Sequence, residues 1–296
     1  MSDTASEGSI RDAWYSDIVN YLLDQNIDNV TIPELVLQNK QRPDLVTYIC
    51  ENEYCNPFLL IEFKKKPSGR PSKAYFQSLN YSNIIKPRYT VIAYFANIYC
   101  SLNITDEQTK QKQFKMFFSC DEMIDAFWDF FENKIFTYRH SGGIHKKSLI
   151  KEIFRAPTYE RFLRAEFFRI LANNNLIPRS EYSVTHENNM VRPDLVIFTK
   201  NSNKPLLVLE FKSGYIPSMF SQAYKYKKTL NPYYYGEVYG TKDSDGTKNS
   251  FRVSIFDMQD QYIINDYIKF GNPYLNEDEV ISIIKKLQQN SKREDH

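Results

Sequence analysis

Arg42-Pro43-Asp44-Leu45-Val46-Thr47-Tyr48-Ile49-Cys50, followed after a polar turn by Phe58-Leu59-Leu60-Ile61-Glu62-Phe63-Lys64, has a counterpart in the second half of the same chain. That counterpart is Arg192-Pro193-Asp194-Leu195-Val196-Ile197-Phe198-Thr199, then Leu206-Leu207-Val208-Leu209-Glu210-Phe211-Lys212. Each stretch reads as two apolar strands, the first beginning at an aspartate and the second ending in Glu-Phe-Lys. Successive side chains of a strand alternate faces, so Glu62 and Lys64 point the same way, about 6 to 7 Å apart, while Phe63 points into the opposite layer. The same alternation holds for Glu210, Lys212 and Phe211.

Working outward, the likeness extends over a whole domain. Upstream lie helical stripes, Trp14, Ile18, Tyr21 and Leu22 in one half and Leu163, Phe167, Ile170 and Leu171 in the other, with an acid, Asp17 or Glu166, at the same place in each. Downstream, Gln77 and Tyr81 stand four apart, as do Gln222 and Tyr226, a spacing that shares a helix face. The offsets between copies are 149 for the helix acid, 150 for the aspartate, 148 for the glutamate and 145 for the glutamine. Near-constant offsets mean collinear copies. Each copy also closes on an acid-started amphipathic stretch, from Asp121 and from Asp278.

A chain of 296 residues has room for two domains of this kind. The domains expected are residues 10–139 and 149–290, joined through His140-Ser141-Gly142-Gly143 as a short hinge. In the first, helix is expected over 10–23 and 73–85, and strand over 34–37, 44–50, 58–64, 89–96 and 114–119. Residues 51–57 read as a turn and 97–113 as a polar loop. In the second, helix is expected over 159–173 and 218–229, and strand over 181–184, 194–199, 206–212, 236–241 and 251–256. That order of elements predicts an α/β class, each domain a central mixed sheet flanked by helices.

Charge gives no global signal. Thirty-eight basic against 36 acidic side chains leave +2, so any basic surface for nucleic acid must be local. Lys64, Lys65, Lys66, Arg70 and Lys73, and then Lys225, Lys227 and Lys228, follow the two Glu-Phe-Lys motifs and supply it. Tyr233-Tyr234-Tyr235 offers rings for stacking on bases, although most of the many Tyr and Phe are expected in cores. The polar start of the chain lacks a secretory pattern, and no apolar run approaches a membrane span. An intracellular protein of the cytoplasm or nucleus, with no membrane partner, is the expectation. Cys50, Cys55, Cys100 and Cys120 are irregularly spaced and read as reduced thiols rather than a zinc site.

The chemistry follows from the motif geometry. If the strand starting at Asp44 pairs with the one carrying Glu62, the two carboxylates form a hard-oxygen site for Mg²⁺ or Mn²⁺. The Phe63 carbonyl is a further ligand, and Asp194, Glu210 and the Phe211 carbonyl repeat the set. The lysine then orients water or neutralises charge growing on a phosphate. Asp17 and Glu166, costly in an otherwise apolar stripe, are expected to find their partners at the metal or the lysine. Gln77 with Tyr81 and Gln222 with Tyr226 would hold a nucleic-acid backbone beside it.

This ordered set resembles the PD-(D/E)XK nuclease superfamily, and its Gln-x-x-x-Tyr element is similar to that of the RecB-like branch. The resemblance covers nearly the whole chain, once per half. It implies two tandem restriction-endonuclease-like domains and a Mg²⁺-dependent nuclease, most readily an endonuclease acting on DNA. Asp44, Glu62, Lys64, Asp194, Glu210 and Lys212 would then be catalytic and metal-binding, supported by Gln77, Tyr81, Gln222 and Tyr226, with Asp17 and Glu166 matching the helix acid. The iron–sulfur cysteines of some RecB-like members are not matched, because Cys50 and Cys55 fall between Asp44 and Glu62. No Walker-type loop is present, so motor or targeting activity would come from a protein partner. The competing expectation is a silent nucleic-acid-binding or scaffold protein that keeps the fold without turnover.

Overall fold

The computed structural model describes residues 6–37, 39–65, 71–95, 99–138, 143–154, 158–186, 189–200, 202–214, 219–241, 250–271 and 273–294. It is an α/β protein with mixed sheets flanked by helices. The chain divides into two compact units, residues 1–11 with 17–153, and residues 12–16 with 154–296. No helix is long and apolar enough to cross a membrane among the described residues.

The first unit opens with α1 (Glu7–Asp24), whose N-cap Ser6 side chain accepts from the Ser9 amide. Strands β1 (Asn29–Pro33), β2 (Leu45–Glu51) and β3 (Tyr54–Lys65) then form an antiparallel run. Helix α2 (Pro71–Ile85) crosses over to β4 (Tyr89–Phe95), which lies parallel to β3. Antiparallel β5 (Cys100–Asp106) and β6 (Lys112–Phe117) finish the sheet in the order β1-β2-β3-β4-β5-β6. Helix α3 (Cys120–Thr137) follows, capped by Ser119 and acidic in its first turn at Asp121 and Glu122. The short β7 (Ile144–His145) pairs with β3, and α4 (Lys146–Ile153) packs on β1 and β3 through buried Leu149 and Ile153.

The second unit repeats the plan. It runs α5 (Thr158–Asn173), β8 (Leu176–Ser180), a small ribbon of β9 (Val184–His186) and β10 (Asn189–Val191), then β11 (Leu195–Thr199) and β12 (Leu207–Lys212). Helix α6 (Met219–Leu230) crosses to parallel β13 (Tyr234–Thr241), and antiparallel β14 (Ser250–Phe256), β15 (Tyr262–Lys269) and α7 (Glu277–Glu294) complete it. The sheet order, β8-β11-β12-β13-β14-β15, matches that of the first unit strand for strand. Phe211, buried on the face opposite Glu210, meets Phe167 of α5 at a ring distance of 5.3 Å, while Tyr226 of α6 packs on Val196 and Val208. Helices therefore cover both faces, and the Glu-x-Lys side chains project on the α6 side.

Several expectations are corrected. Residues 97–113 are not one loop, since β5 occupies 100–106: Cys100, Leu102 and Ile104 are buried, and the polar residues between them face the other way. The strand expected at 34–37 lies earlier, at β1, because Glu34 takes a positive φ of 47° that breaks extension. Likewise Glu181, at 52°, ends β8, and the strand expected at 181–184 gives way to β8 and the ribbon. The turn at 51–57 shrinks to Asn52 and Glu53, whose φ values of 49° and 68° make the left-handed pair of a tight hairpin. That turn sets Cys50 opposite Cys55, and a disulfide joins them, contrary to the expectation of four reduced thiols. Cys100 and Cys120 remain free. Helix α4 falls with the first unit, and the second takes residues 12–16 of α1 together with the chain from Phe154 onward. Of the expected hinge, His140, Ser141 and Gly142 lie outside the described residues, as do Lys66 and Arg70 and the side chain of Lys73.

Candidate active site in each unit

Both sites form where β2 or β11 begins beside the end of β3 or β12. Leu45 pairs with Ile61 and Leu195 with Leu209, which brings each aspartate alongside its Glu-Phe-Lys. A carboxylate oxygen of Asp44 accepts from the Phe63 amide at 2.8 Å, and Asp194 accepts from the Phe211 amide at the same 2.8 Å. Lys64 Nζ lies 2.7 Å from Glu62 and 4.0 Å from Asp44. Lys212 Nζ lies 2.6 Å from Glu210 and 3.8 Å from Asp194. In the first unit the Asp44 amide also donates to Glu62 at 3.3 Å. The two clusters are near copies down to the hydrogen bonds.

Burial dominates the electrostatics. Glu62 is pushed up to about 8, first by desolvation and then by the negative charge of Asp44, with Lys64 opposing. Glu210 is pushed up to about 7 by desolvation and then by Asp194, with Lys212 opposing. Burial likewise raises Asp44 to about 6, against the pull of Lys64 and Arg11. Desolvation works to lower both lysines, but the carboxylates outweigh it and hold Lys64 and Lys212 above the ordinary lysine range. Each cluster sets two carboxylates against one lysine ammonium, and in the first unit Arg11 also lies 4.0 Å from Asp44.

The donor set fits a hard divalent ion. Two carboxylates and a backbone carbonyl suit Mg²⁺ or Mn²⁺, which keep several waters and take few protein ligands. The Phe211 carbonyl faces the cluster, accepting from Lys212 Nζ at 3.0 Å. Among the described residues no group of three His, Cys, Asp or Glu side chains stands together as a ligand set.

The helix glutamines and tyrosines are placed unevenly. Tyr81 is buried, and its phenol is raised by burial and then by the charge of Glu62, which sets it next to the carboxylates. Gln77 Nε2 donates to the Tyr81 hydroxyl at 3.3 Å. Tyr226 is likewise raised by burial, then by Glu210 and Asp194, and its hydroxyl donates to the Arg192 carbonyl at 3.3 Å. Gln222 stands half-buried one turn earlier on α6. Tyr234 and Tyr235 are buried and Tyr233 lies under the Lys204 ammonium at 3.6 Å, so this triplet is packing rather than a stacking surface.

Asp17 and Glu166 are not brought to the clusters. Asp17 lies ten residues along α1 from Glu7, or about 15 Å at 1.5 Å per residue, and its carboxyl is raised to about 6 by burial alone, with no charge from either cluster acting on it. Glu166 is fully buried and bound by Arg169 at 2.8 Å, the Leu275 amide at 2.8 Å and the Tyr15 hydroxyl at 2.9 Å. Its partner is an arginine on its own helix. The acids that do reach the sites are Glu7, whose charge acts on both Asp44 and Lys64, and Glu160, which accepts from the Ser213 amide at 2.9 Å and acts on Lys212. Each begins a Glu-x-x-x-Arg step. Arg11 lies 3.3 Å from Glu34 and 4.0 Å from Asp44, and Arg164 lies 3.0 Å from Glu181. Glu34 and Glu181, the two positive-φ residues, donate their amides to the carbonyls of Asp44 and Asp194 at 3.0 and 2.9 Å. The repeated Glu-x-x-x-Arg, 153 residues apart, was the sequence signal for these groups.

The strand beside each glutamate also differs between the sites. Glu62 neighbours Ile92 across the parallel strands, whereas Glu210 neighbours Glu237, buried and with an unpaired oxygen among the described residues. No protein-family model matches the chain, and no curated protein matches it.

Proposed function

We propose that the chain is a divalent-metal-dependent nuclease that hydrolyses phosphodiester bonds, DNA being the first substrate to test, with one active site in each of two tandem restriction-endonuclease-like domains. The observation that carries this reading is the doubled cluster: Asp44, Glu62 and Lys64 repeated by Asp194, Glu210 and Lys212 with the same amide-to-aspartate and lysine-to-glutamate bonds. A pair this closely matched on matching sheets supports one chemistry performed twice.

In this reading Asp44, Glu62 and the Phe63 carbonyl, and likewise Asp194, Glu210 and the Phe211 carbonyl, hold Mg²⁺ or Mn²⁺. The ion supplies Lewis acidity to a phosphate oxygen and lowers the pKa of water. Lys64 and Lys212, held protonated by their carboxylates, act as donors and not as bases near neutral pH. Each ammonium is placed to orient a water or neutralise charge on the phosphate. The amide bonds to Asp44 and Asp194 fix the carboxylates before substrate arrives, so little reorganisation is needed at the reaction. Tyr81 and Tyr226, with Gln77 and Gln222 on the same helices, line the approach. Two sites in one polypeptide would allow both strands of a duplex to be cut by a single chain, with delivery left to a partner protein.

The test uses circular single-stranded and double-stranded DNA with Mg²⁺ or EDTA. Wild type should cut circles in Mg²⁺, Glu62→Ala and Glu210→Ala should each lose part of that activity, and the double variant should lose all. Tight binding in EDTA without cleavage in either metal would instead identify a silent binding protein.

A further inference from the structure

Beside the first site, between α2 and the strands β4, β5 and β6, runs a groove of about 820 Å³. One wall is the outer face of α2, where Tyr75, Phe76 and Leu79 are 40%, 60% and 37% exposed. Tyr94 lies on the floor, and Phe114 of β6, 59% exposed, forms the far wall. Exposed rings of this size on a monomer's surface mark a place of binding more often than chance solvation.

A row of in-register residues links the groove to the carboxylates. Across the sheet, Glu62 pairs with Ile92, Ile92 with Asn103 and Asn103 with Phe114, so one row leads from a motif carboxylate to an exposed ring. Three strand spacings make that row about 14 Å long. Tyr94 is the in-register neighbour of Lys64. One cation sits among the rings: Lys112 Nζ lies 4.6 Å from the Tyr75 ring centre and 2.9 Å from its hydroxyl, while Lys110 on the rim is paired with Glu107 at 2.8 Å.

We propose that this groove binds a single nucleic-acid strand, stacking its unpaired bases on Phe76, Tyr75 and Phe114 and leading its backbone to Asp44, Glu62 and Lys64. Aromatic faces interleaved with lysines are the chemistry that holds single strands without sequence preference. At about 3.4 Å per nucleotide in a stacked strand, the 14 Å row spans at most about four of them. In the second unit the row from Glu210 reads Glu237, Ser254 and Asn265, the last accepting from Arg252 at 2.7 Å, while the row from Lys212 reads Tyr239, Arg252 and Tyr267, with Arg252 over the exposed Tyr267 ring. For the strand's direction toward a reacting phosphate the inference rests on the nuclease reading; for binding it does not.

The experiment is fluorescence anisotropy of the full chain in EDTA with labelled oligothymidylate, oligouridylate and a hairpin duplex. Wild type should bind a single-stranded probe more tightly than the hairpin. Phe76→Ala and Phe114→Ala should each weaken single-strand binding by about tenfold, within the range for losing one base stack. Phe76→Tyr and Phe114→Tyr should restore it, and hairpin binding should not change. Both residues are largely exposed, so melting curves should stay at the wild-type value. Single-strand affinity untouched in the double alanine variant, or a wild-type preference for the hairpin, overturns the proposal. The two readings separate cleanly: sensitive binding without any cleavage in Mg²⁺ keeps the groove and rejects the nuclease, whereas cleavage with insensitive binding does the reverse.

Discussion

Glu210 and Glu237 are in-register neighbours on the parallel strands β12 and β13, and Glu237 keeps one carboxylate oxygen buried without a hydrogen-bond partner among the described residues. In the first unit the second position is Ile92. Burial raises Glu237, with Arg252 opposing, so the metal-free second site carries an extra carboxyl that resists ionisation. Glu237→Ile, which copies the first unit, should stabilise the metal-free chain by about 1–2 kcal/mol at alkaline pH, the cost of an unsatisfied buried polar group. Thermal melts in EDTA check it, and the gain should shrink in acid, where Glu237 is neutral.

Removing a lysine leaves the carboxyls without their cation. Lys64→Met in a Glu210→Ala background, where only the first site is intact, should lower the single-turnover cleavage rate by about 10²–10³-fold, as for loss of one preorganised donor. Lys212→Met in a Glu62→Ala background should do the same at the other site. Equal rates in variant and parent would show that neither ammonium takes part.

The helix acids divide by role. Glu7→Ala and Glu160→Ala should reduce cleavage at their own sites, because each acts on the motif lysine. Asp17→Ala should leave the cleavage rate unchanged, because Asp17 acts on neither cluster. Glu166→Ala leaves Arg169 buried without its carboxylate and should destabilise the chain by about 3–5 kcal/mol. Melting curves and cleavage rates measured together distinguish the two effects.

The motif itself was legible because it is local: Asp44 to Lys64 and Asp194 to Lys212 are hairpins, and strand alternation fixes which side chains share a face. The α/β class followed from the same order of elements. The helix acid was misplaced because the apolar stripes aligned Asp17 with Glu166, whereas charge contacts single out Glu7 and Glu160 at the helix starts. Strand β5 was hidden by its polar face, although Cys100, Leu102 and Ile104 alternate as a half-buried strand does. The Cys50–Cys55 link depended on knowing that two residues, not seven, make the turn. The aromatic groove draws on α2, β4 and β6, and no window of sequence contains it.

The raised carboxyls also set a pH dependence for folding. Glu62 rises from 4.5 to about 8, Glu210 from 4.5 to about 7 and Asp44 from 3.8 to about 6, so between about pH 4 and pH 8 the folded chain binds more protons than the unfolded one. Stability is greatest below the unfolded values and is lost as pH rises through the folded ones. Lys64 and Lys212, raised from an already high value, stay protonated on both sides of this window and add nothing to the slope. In EDTA the melting temperature should therefore fall between pH 5 and pH 8, and Glu62→Gln with Glu210→Gln should flatten that fall. An ion that binds only the folded, ionised sites stabilises by mass action, so Mg²⁺ should raise the melting temperature more at pH 8 than at pH 5. The double glutamine variant should lose that increment, and an equal Mg²⁺ response in the variant and the wild type would place the ion elsewhere.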